Sequence, residues 1–340
     1  MRIFDRPGDN VLVPDTPAAA LYSSLVRLAG ASPVSVPAAV LHDPASGQPV
    51  YGGGGDPTAW VEKVREMVTQ NTGALVLASP CGVTGALLPS EYLAAAAALC
   101  RSLGIWLIVD QAHQLLVDPS SPPPAPASAS SALSSSPAHY PSVLSTVCMG
   151  AGGGLRAHKV IMVGDVSFAL GVGGWGVAHA VVGGGMGRGM ESVLGGMRGS
   201  CGALASQHLM LAALKSPQVA EEVRSNVKRY CRVRRGVSLL LSKVPMCNLV
   251  FPMASGGLYV AVDVTPFGLT AQEVADVLLE EGGVCVVAVT HGGRQLIRLC
   301  ISADEAALKD GVRKVAVTLM GLARDMLDNT MAADNNMAAD

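Results

Sequence analysis

Four polar side chains stand in apolar surroundings, where such a group is costly without a partner. Asp110 closes the run Ile105–Val109 (IWLIV), and His113 follows three residues later. Ser167 comes directly after Val160–Val166 (VIMVGDV) and precedes Phe168. Arg298 lies between Ile297 and Leu299 in LIRLCI. A carboxylate at the end of an apolar strand is either a strand-end cap or a site group, because ligands of open α/β sheets bind beyond the carboxyl ends of the strands. Histidine can donate a hydrogen bond to a ligand oxygen, or simply sit in the first turn after a strand. An arginine inside an apolar strand needs either a buried ion-pair partner or an anionic ligand, and its planar fork suits a carboxylate.

The elements that must position these groups alternate along the chain. Short apolar runs predict strands at Asn10–Pro14, Pro33–Pro37, Ala74–Ala78 and Ile105–Val109, then at Val160–Val166 and Val177–Val182. Helical spacing predicts helices over Thr16–Ala29 and Thr58–Val68, the latter with Trp60, Val61, Val64 and Met67 on one face. A further helix runs from Ser90, as its cap, to Leu103, with Gly104 ending it. Continuous apolar strands between helices predict a mostly parallel sheet covered on both faces, an α/β three-layer αβα architecture. A long helical stretch follows Gly199. Strands at Leu249–Val250, Gly257–Val264, Val284–Val289 and Leu296–Ile301, with helices at Thr270–Glu281 and Asp304–Met326, predict a smaller α+β unit. The Pro/Ser/Ala-rich run over 119–141 reads as a disordered insertion, Gly150–Gly154 as a flexible turn, and the MAAD-repeating ending as a fraying tail.

Five collinear segments carry a resemblance. They are Ser79-Pro80-Cys81-Gly82-Val83-Thr84-Gly85, Trp106 through His113, Ser167 through Gly176, Gly256-Gly257-Leu258-Tyr259, and Leu296-Ile297-Arg298-Leu299. In this order they resemble the class I/II aminotransferases, fold-type I enzymes that use pyridoxal 5′-phosphate, over roughly Gly8 to Ala323. The resemblance implies a large domain over 1–200, a connecting helix over 201–235, a small α+β domain over 236–328 and a disordered tail over 329–340. It implies amino transfer between an amino acid and a 2-oxo acid, and usually a homodimer with the active site at its interface. By resemblance Asp110 faces the cofactor's pyridine nitrogen, keeping it protonated as an electron sink. His113 stands for the tyrosine that bonds the phenolic oxygen, Ser167 is a cofactor-binding residue, and Arg298 holds the substrate carboxylate.

The same alignment exposes losses. Aligned without a gap on Gly174-Trp175, Phe168 stands where the family has the lysine that bonds the cofactor covalently. A gapped alignment instead keeps Ser167-Phe168 and deletes the Ser-Lys pair, and either way no lysine is there. Asp165 falls on a phosphate-contacting serine, Gly176 on the phosphate-binding arginine and Gly82 on an asparagine. Lys159 is nine residues before Phe168, roughly 30 Å along a strand, and cannot substitute. The expected protein therefore has the aminotransferase fold with impaired or no activity. The alternative is a non-catalytic dimerising or regulatory relative, or a gene fragment, able to pair with an intact paralogue. The segment before Gly8 is too short for the family's N-terminal arm and first strand, so an exposed sheet edge is expected. A third reading takes Gly171, Gly173 and Gly176 as G-x-G-x-x-G, with Glu191 twenty residues beyond Gly171, as in dinucleotide-binding oxidoreductases.

Composition limits the partners. The 340 residues carry a net charge of −2 and are 50% hydrophobic, which excludes a fully disordered chain and gives no field for nucleic acid. The basic cluster Lys228, Arg229, Arg232, Arg234 and Arg235 reads as a solvated helix face. The eight cysteines form no C-x-x-C pair and mostly lie in apolar runs, as buried free thiols do in a reducing compartment. No signal or transit peptide pattern opens the chain, so a soluble intracellular protein is expected. The apolar stretch Val160–Gly187 is rich in glycine and reads as two short buried strands rather than a membrane span.

Overall fold

The computed structural model describes residues 8–38, 40–42, 49–51, 56–117, 159–183, 203–250, 256–291 and 293–337. The insertion over 119–141, Gly150–Gly154, Cys148, Glu191 and Cys201 lie outside them.

The chain divides into two units. The first comprises Met1–Arg229 with Ser255–Gly257, and the second Tyr230–Ala254 with Leu258–Asp340. The division falls inside a long helix, and the connection expected as one helix over 201–235 is two: Leu204–Lys215 (α5) and Pro217–Leu241 (α6). Ser216 and Pro217 break them apart, since proline has no N–H to continue the helical ladder.

The first unit is built on a six-stranded sheet of β1 (Asn10–Pro14), β2 (Ser32–Val36), β5 (Thr72–Ala78), β6 (Trp106–Asp110), β7 (Val160–Asp165) and β8 (Ala178–Val182). Its order is β2-β1-β5-β6-β7-β8. The first five strands are parallel, and β8 runs antiparallel to β7. A separate antiparallel pair joins β3 (Val40–His42) to β4 (Pro49–Tyr51).

Side-chain alternation explains the continuous apolar runs. Val11, Val13, Ala74, Val76 and Trp106 pack on one face with Val26 of α1 (Ala19–Leu28). Leu12, Leu75, Leu77, Leu107 and Val109 point to the other. There they meet Trp60, Val61 and Val64 of α2 (Pro57–Glu66) and Tyr92, Leu93 and Ala96 of α3 (Ser90–Leu103). A strand buried on both faces has no polar side to print in its sequence.

Some local expectations are corrected. Met67 leaves the α2 stripe: it is the C-cap residue and 37% exposed. Ser90 is the first helical residue of α3, and its cap position is Pro89, which makes no side-chain bond. Gly104 ends α3 in the left-handed conformation, as expected. β8 is exposed or half-buried rather than buried, because it is the outer strand of the sheet. Between β7 and β8 the chain forms a short helix, α4 (Ser167–Leu170), and a 3₁₀ turn at Gly173–Trp175.

The second unit carries a four-stranded antiparallel sheet, order β11-β12-β10-β9. Its strands are β9 (Asn248–Val250), β10 (Tyr259–Asp263), β11 (Val287–His291) and β12 (Arg294–Cys300). Thr270 and Glu273 form a reciprocal capping box that starts α7 (Ala271–Glu280). The final helix, α8, spans Glu305–Met337, so the backbone stays helical where the repeat was expected to fray. Of the basic cluster, Lys228, Arg232 and Arg235 are exposed, Arg229 is half-buried and Arg234 is only 3% exposed. The solvated-face expectation fails for the last two because α6 packs one side against the protein over much of its length.

The cysteines also divide. Cys81, Cys100, Cys231 and Cys247 are buried free thiols, while Cys285 and Cys300 are exposed. Burial pushes the Cys100 thiol up to about 12. Burial, with the charge of Asp263 adding to it, does the same for Cys247. Since the thiolate is the nucleophile, alkylation of the folded chain at pH 8 should label Cys285 and Cys300 and spare the four buried thiols. Peptide mapping that found Cys100 labelled as fast as Cys300 would contradict this placement.

Candidate functional site

The site is built where β5 and β6 end together, Ala78 opposite Asp110. The backbone leaves the sheet here through Ser79, whose N–H donates to the Asp110 carbonyl at 2.9 Å, and Gln111, whose N–H reaches Val163 at 2.7 Å. Divergence of the chain on either side opens space at a strand end.

Asp110 acts as the strand-end cap and takes a second partner from a distant helix. Its Oδ1 accepts the Ala112 N–H at 2.9 Å, capping the turn. Its Oδ2 accepts the Tyr22 hydroxyl at 2.8 Å. Tyr22 comes from α1, 88 residues away, and the sequence reading missed it because helical spacing does not say what a tyrosine touches. Burial, then the negative charge and hydrogen bond of Asp110, hold the Tyr22 phenol well above its ordinary value.

The sign of the resulting pH effect follows. Above about pH 10 the unfolded phenol ionises, while the folded one keeps its proton, so stability falls as pH rises. Tyr22→Phe should flatten this alkaline loss in a series of urea titrations between pH 8 and 11. An unchanged slope would mean that the Tyr22 proton is not held by the fold.

His113 is buried, and its ring stacks on Phe168 with centroids 4.8 Å apart and planes 28° from parallel. Gly82 borders the same ring: a Cβ there would stand 3.6 Å from Nε2 of His113. Gly256 and Gly257 close the other side. A Cβ on Gly256 would meet the Pro80 ring at 2.7 Å, and one on Gly257 would come within 4.0 Å of His113. Gly257 also has φ +78°, so the pair serves backbone approach rather than flexibility.

Ser167 is spent within the fold. It is 1% exposed, its N–H donates to Oδ1 of Asp165 at 2.6 Å, and its hydroxyl lies against that same carboxylate and 3.1 Å from the Val177 carbonyl. Asp165 thereby organises the first turn of α4. Arg298 lies in the second unit, half-buried, with its guanidinium 4.2 Å from the centre of the Tyr259 ring. A cation–π partner was neither of the two alternatives expected for it. The structure thus pairs Asp110 with Tyr22 and His113 with Phe168.

The dinucleotide reading loses its structural context. Gly171 and Gly176 end α4 and the following 3₁₀ turn in left-handed conformations, and the chain then enters β8. The fingerprint requires a strand, a tight turn and then a helix whose N-terminus meets the pyrophosphate. No helix of the described residues is long and apolar enough to cross a membrane, and none of their His, Cys, Asp or Glu residues group as a metal site.

The residues can be tested against pyridoxal phosphate. Asp110 offers the carboxylate that a protonated ring nitrogen needs, although its Oδ2 already holds Tyr22. Phe168 has no nitrogen to bond the aldehyde, and it fills the space beside His113. All seven lysines are among the described residues. Lys159 bonds the Gly104 carbonyl at 2.6 Å, at the opposite end of the sheet from Asp110. The other six lie on helices or, for Lys243, just beyond one. The set does not fit a covalently held cofactor.

Comparisons with known proteins agree on the kinship. The family model described as aminotransferase class I and II matches residues 1–315. A probable aspartate/prephenate aminotransferase of Thermus aquaticus is 27% identical over 313 residues, covering 92% of this chain and 70% of that protein. The arginine–pyruvate transaminase AruH of Pseudomonas aeruginosa is 28% identical over 316 residues, covering 92% and 69%. Among solved structures, the aspartate aminotransferase of Thermus thermophilus with maleate gives a TM-score of 0.68 at 25% identity, covering 93% of this chain and 71% of that one. The aromatic aminotransferase of Pyrococcus horikoshii shares the fold, with a TM-score of 0.72 at 22% identity over 95% and 76%.

Proposed function

The chain belongs to the class I and II aminotransferases, and on that premise we propose that it has lost the family's lysine-dependent amino transfer and acts as a non-catalytic relative. The family implies pyridoxal phosphate as cofactor. The observation that carries the proposal is Phe168, stacked on His113; the resemblance aligns it with the family's covalent lysine. Without an amine there, the cofactor has no anchor and the reaction lacks its usual general base.

Asp110 supports the same reading. Its two oxygens accept from Ala112 and Tyr22, so the carboxylate has a role in the fold itself. A protein kept for its surface rather than its chemistry would act by pairing, with itself or with an intact paralogue whose output it would lower.

The test is the absorption spectrum of the purified chain with pyridoxal phosphate, followed by borohydride reduction and peptide mapping. The expected result is no lysine modified in preference to the others. One lysine trapped stoichiometrically would overturn the proposal and restore the enzyme. The pairing claim has its own test: co-expression with an intact paralogue carrying a different tag, in which failure to recover mixed dimers would reject it.

A further inference from the structure

A cavity of about 430 Å³ opens in the first unit, beside but not within the strand-end site. Ten of its thirteen lining residues are apolar. Leu115 borders it from the 3₁₀ turn after β6, Leu170 from the end of α4, Leu214 from α5, and Val223 and Val227 from α6. Leu115 and Leu214 are 46% and 59% exposed, so the apolar lining continues to an open mouth. Apolar surface of this extent, in a concavity of ligand size, is where small molecules bind.

The polar lining sets the ligand's charge. It consists of Gln114, Arg224 and Lys228, with no aspartate or glutamate. Arg224 is held by Glu221, one turn earlier on α6, at 2.8 Å. Lys228, one turn later, is exposed and has no ion-pair partner among the described residues. The cavity thus pairs a long apolar wall with one uncompensated positive charge and an amide.

We infer that this cavity binds a single-chain carboxylate, its alkyl tail of roughly eight to twelve carbons lying along the leucine and valine walls and its head at Lys228. The occupant needs one negative end and no further polar group, since Gln114 is the only other hydrogen-bonding side chain besides the paired Arg224. The inference is independent of the fate of the amino-transfer site, because none of the residues it uses is Tyr22, Asp110, His113 or Phe168.

The experiment is calorimetric titration of the full chain with hexanoate, octanoate and decanoate, and with decanol and decyltrimethylammonium as head-group controls. Affinity should rise roughly fourfold per methylene while the tail is being buried. Lys228→Glu should weaken decanoate roughly three- to tenfold and leave decanol unchanged, as expected for one partly solvated charge. Val223→Trp should abolish binding by filling the cavity, with circular dichroism reporting that the fold is kept. Equal affinity for decanoate and decanol, binding indifferent to Val223→Trp, or no saturable binding at all would each overturn the inference.

Discussion

Phe168→Lys is expected to convert a chain that traps no pyridoxal phosphate under borohydride into one that traps it at position 168. The substitution is tolerable in shape: Phe168 is half-buried on α4, and its ring occupies space that a lysine stem can fill. Its neighbour His113 is buried and aromatic, so the new amine would be partly desolvated. Desolvation lowers an amine's pKa and leaves more of it unprotonated and nucleophilic at neutral pH. Label at 168 should therefore exceed that at any native lysine by roughly tenfold. Phe168→Met separates this from a general loosening, because it opens the stack without supplying nitrogen. If the lysine variant trapped no more than the methionine variant, position 168 would not be the lost anchor, and the proposed reason for inactivity would fall. Recovery of turnover is not expected from this single change, since Gly82, Asp165 and Gly176 remain as they are.

Trp60→Ala is expected to cost about 3–5 kcal/mol of stability. Trp60 is 1% exposed and lies between α2 and the sheet. Its indole N–H donates to the Pro37 carbonyl at 2.9 Å, and its ring meets Tyr92 of α3 at 5.6 Å in a tilted pair. Truncation would leave a cavity among residues that cannot all move into it, and an unpaired carbonyl besides. Trp60→Phe keeps most of the apolar volume and loses the hydrogen bond, so it should cost clearly less. Urea unfolding followed by circular dichroism measures both. A cost for Trp60→Ala below about 1 kcal/mol, or equal to that of Trp60→Phe, would mean that this contact is not central to the first unit.

Most strands and helices of the main sheet were legible in the sequence because they are buried, whereas the β3–β4 pair and α4 were not. Strands covered on both faces read as unbroken apolar runs, and NVLVP and WLIVD are legible as such. Asp110 was legible as the carboxylate that ends such a run and caps the turn after it, because a charge there is conspicuous. Local periodicity stops at the element boundary, however. It predicted β8 as buried, yet position in the sheet makes it an outer, antiparallel strand. It predicted α6 as a solvated basic face, yet packing buries Arg234. Packing between elements set the closure of Tyr22 on Asp110 across 88 residues, the stacking of Phe168 on His113, and the seat of Arg298 on Tyr259. Each of these is a contact between side chains on different elements, or on different turns of one unit. Such contacts depend on where the packed elements point their side chains, a relation that spacing along one chain does not carry.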